Sequence, residues 1–583
     1  MKKWKLRSKI TKTAEKKLID YPPFLRDLLF AKGILDEEAA AKYLHPSYES
    51  DLYDPALMLG MDQAVKRILK AIEWDEKIII YGDYDADGVP GTVVLYSFFK
   101  VISYSQVDIY LPNRHLESHG LNSEALEKIA TDGAKLIITV DCGITNTAEV
   151  KKAKKLGIDV IVTDHHLVPK EAPEAFAILD SKQNKDSYPF NMLCGCAVAF
   201  KLVIALMRQV DYEFPVGWDK WLLDLVAIAT ISDMVPMVDE NRILTHFGLK
   251  VLRQTRRVGL LELFKVMKLK KENVTEDDIG FMIGPRLNAA SRMSHASQSF
   301  FLLTTNDRAE AATIAKHLEE KNKERKILVE HIFEIVDKQL ALLDKIPDVI
   351  VAGNEEWPNG GLGLACNKIK DKHNRSVFLW GGNGDPDLRR GSSRSDGTVN
   401  LVELMRLAGG KELFADYGGH ILAAGFSLTK DKVPELESRL LRAYEKIAKT
   451  PIEEEILIDR DITPDEITWT NYDYIEQMGP YGIGNTKPLF LLRGVEVLQV
   501  KTFGNDGIHL ELAFTNSGGK KIVAIGFFTC SPAKKFDAIN GHIFNGAILA
   551  PGQKIDLLVN LEKSTFKNYP ELRLRIVDLK QAE

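Results

Sequence analysis

The chain is 583 residues long, 45% hydrophobic and 27% charged, with a net charge of −5 at pH 7. That length exceeds what one hydrophobic core supports, so several domains are expected, and the composition is that of an ordinary globular protein. No apolar run approaches the roughly 18 to 20 residues of a membrane span.

The N-terminus, MKKWKLRSKITKTAEKK, is basic but is not followed by the apolar segment and small-residue cleavage site of a secretory signal. Five cysteines (Cys142, Cys194, Cys196, Cys366, Cys530) are few and odd in number, which fits reduced thiols and a cytoplasmic location. The Cys194-Gly195-Cys196 pair has no second pair to complete a metal site, so buried, inert cysteines are expected there. The basic clusters at Lys2–Lys12 and at Arg389, Arg390 and Arg394 read, taken alone, as solvated surface.

From about residue 76 to 180, β-rich runs alternate with helical patterns: KIIIYGD, TVVLYSFFKVI, VDIYLPN, SEALEKIATDG, LIITVD, TAEVKKAKKLG, VIVTD and FAILD. This alternation predicts βαβ units and a parallel sheet. Chemistry in such sheets gathers at the carboxyl ends of the strands. Directly after KIII come Asp83, Asp85 and Asp87; after LIITV comes Asp141; after VIVT come Asp164, His165 and His166. The helical pattern WLLDLVAIATI is followed by Ser232 and Asp233.

Residues 306 to 345 contain no Gly or Pro and are rich in Ala, Leu, Glu and Lys. A helix here would reach on the order of 60 Å and would connect two lobes. A second α/β domain is expected to about residue 450, with two Gly-rich stretches, LRRGSSRSDG and DYGGHILAAGF. Beyond 451, the runs VEVLQVKTF, GIHLELAFT, KKIVAIGFF and KIDLLVNLE predict a small β-rich barrel or sandwich, within which TFKNY near residue 567 brings aromatic and basic residues together.

Three carboxylates at alternate positions in YGDYDADG repel one another unless a cation neutralises them. Carboxylate and imidazole together suit Mn²⁺ or Mg²⁺ better than thiolate-seeking metals, and a pair of such ions suits in-line attack on phosphate esters. Gly82 and Gly88 would let the chain turn and let a phosphate or metal approach the backbone. Alone, the acidic run is equally a turn of Asx hydrogen bonds or a calcium loop. An EF-hand loop, however, needs a Glu where Val94 stands, and the element before it is strand-like.

In order, YGDYDADG, TVDCG, VTDHH and ISDMVP resemble the four acidic motifs of the DHH phosphoesterase superfamily. GPRLNAASRM (284–293), GGHILAAGF (418–426) and PYGIGNTKPLF (480–490) are similar to later motifs of its RecJ family, the bacterial single-strand-specific 5′ to 3′ DNA exonucleases. The resemblance covers the chain from about residue 50. It implies an α/β multidomain protein: an N-terminal extension (1–75), a parallel-sheet DHH domain (76–300), a long connecting helix (301–345), an α/β DHH-associated domain (346–450) and a C-terminal β-rich, OB-like nucleic-acid-binding domain (451–583).

The resemblance further implies that Asp83, Asp85, Asp87, Asp141, His165 and Asp233 hold two divalent ions, Mn²⁺ or Mg²⁺, with Asp141 bridging. Asp83 is either a ligand, in place of a His that many members carry at the position of Tyr81, or a brace for the loop. His166 would face the scissile phosphate, Asp164 would orient a histidine, and Arg286 would bind phosphate. Arg114, Asn288, Ser392, Arg394 and His420 would line the nucleic acid, with Arg114, Ser392 and Arg394 on the 5′-terminal phosphate. The chain departs from the family pattern at Pro90, Ser118, His119, Ser291, Asn367 and Lys368, which bears on substrate contacts more than on the metal set.

The implied activity is hydrolysis of single-stranded DNA from its 5′ end by a two-metal mechanism, in DNA repair and recombination, with a DNA helicase and a single-strand-binding protein as partners and no membrane. Three alternatives stay open: a DHH phosphodiesterase for short oligoribonucleotides or cyclic dinucleotides, or a pyrophosphatase, whose relatives usually lack a tail such as 451–583; a non-catalytic replication scaffold; and a calcium-stabilised structural protein, which the paired histidines disfavour.

Overall fold

The computed structural model describes all residues except 1–2, 115–116, 118–119, 383–384, 448, 450–454, 505–506, 528–541, 545–546, 565–568 and 583. The chain forms two compact units. One comprises residues 53–235 and 239–452; the other comprises 1–52, 236–238 and 453–583. Residues 1–52 of the expected N-terminal extension thus share a unit with the C-terminal strands.

The larger unit begins with five strands: β1 (Ile78–Gly82), β2 (Val107–Tyr110), β3 (Leu136–Val140), β4 (Asp159–Thr163) and β5 (Ala177–Leu179). They form an all-parallel sheet in the order β2-β1-β3-β4-β5. Every residue of β1 and β3 is buried. Both faces are thus covered, which explains the unbroken apolar runs in place of a strict polar-apolar alternation. Helices α1 (Gly88–Val101), α2 (Ser123–Thr131) and α3 (Thr147–Lys155) make the crossovers. The strand order reverses between β1 and β3, and in doubly wound sheets this switch point opens the crevice that takes ligands.

Three further helices complete the surroundings of the crevice: α4 (Gly195–Met207), α5 (Leu223–Ser232) and α6 (Gly284–Met293), the last preceded by a π-helical turn at Ile279–Ile283. Helix α7 (Arg308–Leu340) has 33 residues and spans about 50 Å. Asp307 caps it by accepting the Ala309 and Glu310 amides. Its first half buries Ala311, Ile314, Ala315 and Leu318. Its last turns bury Ile332, Val336 and Leu340 in a separate core with Ile350, Leu362, Val377 and Leu379.

That second core belongs to a mixed sheet of β6 (Val349–Asn354), β7 (Ser376–Gly382), β8 (Leu388–Arg394), β9 (Asp416–Gly419) and β10 (Ala423–Thr429), in the order β9-β10-β8-β7-β6. Helix α8 (Asn359–His373) lies between β6 and β7 in the chain.

The smaller unit is built on a seven-stranded sheet that includes Phe490–Glu496, Gln499–Phe503, His509–Thr515, Lys521–Gly526, Lys554–Ser564 and Glu571–Gln581. Alternate inward residues such as Phe490, Leu510, Phe514, Leu557 and Leu574 form its interior, joined by Leu25, Leu28 and Leu29 of the helix Pro23–Ala31. The strand Lys3–Leu6 pairs in parallel with Glu455–Ile458. The basic N-terminal run is partly spent here: Lys5 pairs with Glu455 at 2.9 Å and Arg7 with Asp459 at 3.0 Å.

The four cysteines among the described residues are buried and free, and Cys530 lies outside them. Ser118, His119 and most of the TFKNY segment also lie outside the described residues. Among the described residues no helix is long and apolar enough to cross a membrane.

Candidate active site and metal centre

The carboxyl ends of β1, β3 and β4 and the end of α5 deliver Asp83 to Asp87, Asp141, Asp164 to His166, and Asp233 to one crevice. Three sets of ligand atoms lie mutually within 4.8 Å: Asp83, Asp85 and Asp141; Asp87, His165 and Asp233; and Asp141, His165 and His166. Asp141 and His165 each belong to two sets. Nε2 of His165 is 3.1 Å from Asp141 Oδ1, 3.6 Å from Asp233 Oδ2 and 3.7 Å from Asp87 Oδ2. Such separations suit neighbouring ligands of a cation held about 2 Å from each.

Both ring nitrogens of His165 are buried without a hydrogen bond among the described residues, as is Oδ1 of Asp141. Buried polar atoms are costly to leave unpaired, and a divalent ion satisfies this donor set of carboxylates and imidazole. The electrostatics agree. Burial and then Asp85 raise Asp87 to about 7. Burial and Asp87 raise Asp233 to about 8 and hold Asp141 well above the usual carboxylate range. Burial and the neighbouring His166 push His165 down to about 3, leaving it neutral and able to donate a lone pair.

Local structure aims these groups. Asp85 Oδ1 accepts the Asp87 and Gly88 amides, an Asx turn that closes the loop after β1. A Cβ on Gly88 would lie 2.6 Å from the Asp83 carbonyl oxygen, and one on Gly82 would lie 1.9 Å from Thr92 Oγ1. These glycines therefore admit the protein's own chain, where the sequence suggests an approaching phosphate or metal. Asp141 has φ of 60°, a left-handed conformation unusual for a non-glycine residue. Tyr81, at the position where a His ligand is common, is buried instead. Its hydroxyl donates to the Gly120 carbonyl at 3.0 Å and its ring stacks on Tyr110.

Asp164 adjoins this group through His165 and His166. Its Oδ2 accepts the Ile144 amide, and its Oδ1 accepts the His165 amide and Nδ1–H of His166 at 2.7 Å. Burial alone would raise Asp164, but these hydrogen bonds and His166 outweigh it and hold it at about 2. Burial alone would lower His166, but Asp164 outweighs it and raises the imidazole to about 9. Lys182 donates to the His165 carbonyl and so tethers the same loop.

Beside the metal loop is a cavity of about 480 Å³ lined by Tyr84, Arg114, Asn359, Arg390, Ser392 and residues of β9 and β10. The Arg114 guanidinium lies 4.9 Å from the centre of the Tyr84 ring. Arg394 comes close to α8, where Gly363 leaves it room. Burial and then Arg114 and Arg325 push Arg292 down to about 9. Arginines that weaken one another in this way would be relieved by an anion.

Arg286 and Asn288 are engaged elsewhere. Arg286 pairs with Glu319 at 2.6 Å and donates to the Met282 carbonyl at 2.8 Å. Asn288 accepts the Ala86 amide at 2.8 Å, latching α6 to the metal loop. His420 is exposed at the tip between β9 and β10, outside the lining of the cavity. Arg292, Tyr84 and Arg390 do not stand out as site residues in the sequence. A signal for Arg292 exists, because it stands four residues after Asn288 and so on the same helical face, whereas Arg286 does not.

The chain matches three family descriptions in order: the DHH family, N-terminal domain, over residues 77–230, the DHHA1 domain over 347–449, and the RecJ OB domain over 458–578. It is 35% identical over 570 residues to the single-stranded-DNA-specific exonuclease RecJ of Bacillus subtilis (strain 168), covering 96% of this chain and 68% of that protein. It is 32% identical over 491 residues to the protein of the same name from Escherichia coli (strain K12), covering 81% of this chain and 83% of that one. The crystal structure of RecJ in complex with Mn²⁺ from Thermus thermophilus superposes with a TM-score of 0.80 at 26% identity, covering 100% of this chain and 80% of that chain. The ligand groups at the sheet's switch point, the order of the three domains and these identities together place the chain in the RecJ family.

Proposed function

We propose that this chain is a metal-dependent exonuclease that hydrolyses single-stranded DNA from its 5′ end and releases nucleotides. The observation that carries it is the meeting of Asp83, Asp85, Asp87, Asp141, His165 and Asp233 around buried, hydrogen-bond-free imidazole nitrogens, next to an arginine-lined cavity. These six residues would hold two Mn²⁺ or Mg²⁺ ions, Asp141 between them. Bound there, the ions supply Lewis-acid polarisation of the phosphoryl oxygen and activation of water.

The protein's own groups do the rest. Asp164 accepts from His166 Nδ1–H and so orients the ring and favours its protonated form, which would meet the phosphate as negative charge grows. Arg114, Ser392 and Arg394 hold the terminal 5′-phosphate, with Arg292 and Arg390 adding charge that a polyanion neutralises. Water adds to phosphorus and the bond to the 3′-oxygen of the terminal nucleotide breaks. The remaining strand then carries a new 5′-phosphate for the same cavity. Arg286 and Asn288 act from behind, through their contacts with Glu319 and Ala86.

This reading places the chain in DNA repair and recombination in the cytoplasm. A helicase and a single-strand-binding protein would expose and present the strand. The test is Mn²⁺-dependent digestion of 3′-labelled single-stranded DNA beside its duplex and a short oligoribonucleotide, with Asp141→Ala as control. Stepwise 5′ shortening of the single strand alone, lost in the variant, is expected. Cleavage of the oligoribonucleotide alone would transfer the chain to small substrates, and no metal-dependent cleavage would leave a scaffold.

A further inference from the structure

Helix α4 opens with Gly195 and Cys196 and is buried along nearly its whole length, so its first turn is fixed in place. The first amides of a helix have no acceptor within it. Here they find one: the Gly195 N–H donates to Asp87 Oδ2 and the Cys196 N–H to Asp87 Oδ1, both at 2.7 Å. Each oxygen of Asp87 thus spends one lone-pair direction on α4, and the plane of the carboxylate is set by the backbone. The same glycine touches a second ligand. A Cβ on Gly195 would lie 2.5 Å from Asp141 Cβ and 2.8 Å from its Cα and Cγ. Asp141 reaches this place in a left-handed backbone conformation, so it has little freedom to retreat.

The geometry points to Gly195 as a positioning residue that sets the spacing of Asp87 and Asp141: its amide aims the one carboxylate, and its missing side chain lets the other approach. It touches neither substrate nor ion and acts through both ligands. The inference rests on the two-ion reading above. The Cys194 thiol also hydrogen-bonds Asp87 and supports the same orientation, whereas the Cys196 thiol has no part in it.

The test uses the full chain without DNA. Mn²⁺ binding is followed by loss of the free-ion electron paramagnetic resonance signal for the wild type, Gly195→Ala and Cys196→Ala, and folding is followed by thermal melting in EDTA. Gly195→Ala is expected to melt cooperatively yet bind Mn²⁺ at least about tenfold more weakly, the scale on which residues supporting metal ligands act. Cys196→Ala, which keeps its amide, is expected to bind like the wild type. With DNA, saturating Mn²⁺ should restore part of kcat in Gly195→Ala while KM for DNA stays unchanged.

A folded Gly195→Ala with wild-type Mn²⁺ affinity overturns the proposal, as does a Cys196→Ala that loses as much as Gly195→Ala. If Gly195→Ala does not fold, residue-resolved hydrogen exchange decides. The amides of Gly195 and Cys196 should exchange slowly in the wild type and fast in Asp87→Ala, and equal protection in both refutes the clamp. Mn²⁺ binding by a wild type that cleaves no DNA would undo the exonuclease reading and leave the positioning role standing.

Discussion

At the scale of single residues, the site joins two chemistries through one tyrosine. Tyr84 lies between Asp83 and Asp85 in the metal loop, yet its ring faces Arg114 in the cavity. A cation over an aromatic face is worth about 0.5 to 2 kcal/mol. Tyr84→Ala should therefore raise KM for a 5′-phosphorylated strand by roughly two- to thirtyfold. Tyr84→Phe should keep most of the affinity, and kcat should hold in both. The decisive comparison is with a 5′-hydroxyl strand: an equal loss on both ends would detach Tyr84 from phosphate recognition. The Ala86 latch gives a second expectation. Asn288→Ala leaves the Ala86 amide without its acceptor at a cost of about 1 to 3 kcal/mol. It should lower kcat more than it raises KM, which steady-state kinetics at saturating Mn²⁺ would reveal.

At the scale of elements, the strands of the DHH sheet were legible because each is a short apolar run ended by a polar cluster. Local sequence carries that pattern, and it is what places Asp83, Asp141 and His165 at strand ends. The long helix was legible from the absence of Gly and Pro, and Asp307 and Leu340 bound it more tightly than 306 to 345. What sequence did not reveal depends on contacts between distant segments. Cys194-Gly195-Cys196 carries no signal until α4 meets Asp87, 108 residues earlier. The pairing of Arg286 with Glu319, 33 residues later on α7, likewise has no local signal. Pairing of Lys3–Leu6 with Glu455–Ile458 joins segments some three quarters of the chain apart and leaves no local trace. Helix α7 itself yields a prediction. Ile332 is fully buried in the core of the β6–β10 sheet, so Ile332→Ala should destabilise that part by about 2 to 5 kcal/mol. Denaturant unfolding monitored by protease susceptibility within residues 349–429 would check it, and an unchanged cleavage midpoint would contradict it.

At the scale of the whole molecule, the metal site makes stability depend on pH. Asp87 at about 7, Asp233 at about 8 and His166 at about 9 all lie above their unfolded values in the metal-free protein. Each such contribution is complete below the unfolded value and is lost as pH rises through the folded one. His165 lies at about 3, so its contribution is present above its unfolded value and constant beyond about pH 6.5. Between about pH 6.5 and 9 the melting temperature in EDTA should therefore fall. Added Mn²⁺, which compensates ionised carboxylates, should raise it by an increment that grows over the same interval. Melting curves at several pH values with and without Mn²⁺ would show this, and an increment independent of pH would contradict it.

The hydrogen bond from the Ala86 amide to Asn288 has a consequence for how the molecule measures. It ties the loop that would hold the ions to the helix that carries Arg292, and the contact of Tyr84 with Arg114 joins the same loop to the cavity. On the proposed mechanism, the gap between a captured 5′ end and the point of scission would then be set by the scaffold. A strand fed into such a device would be shortened by a fixed stride, whatever its bases, as a caliper locked at one setting returns one length.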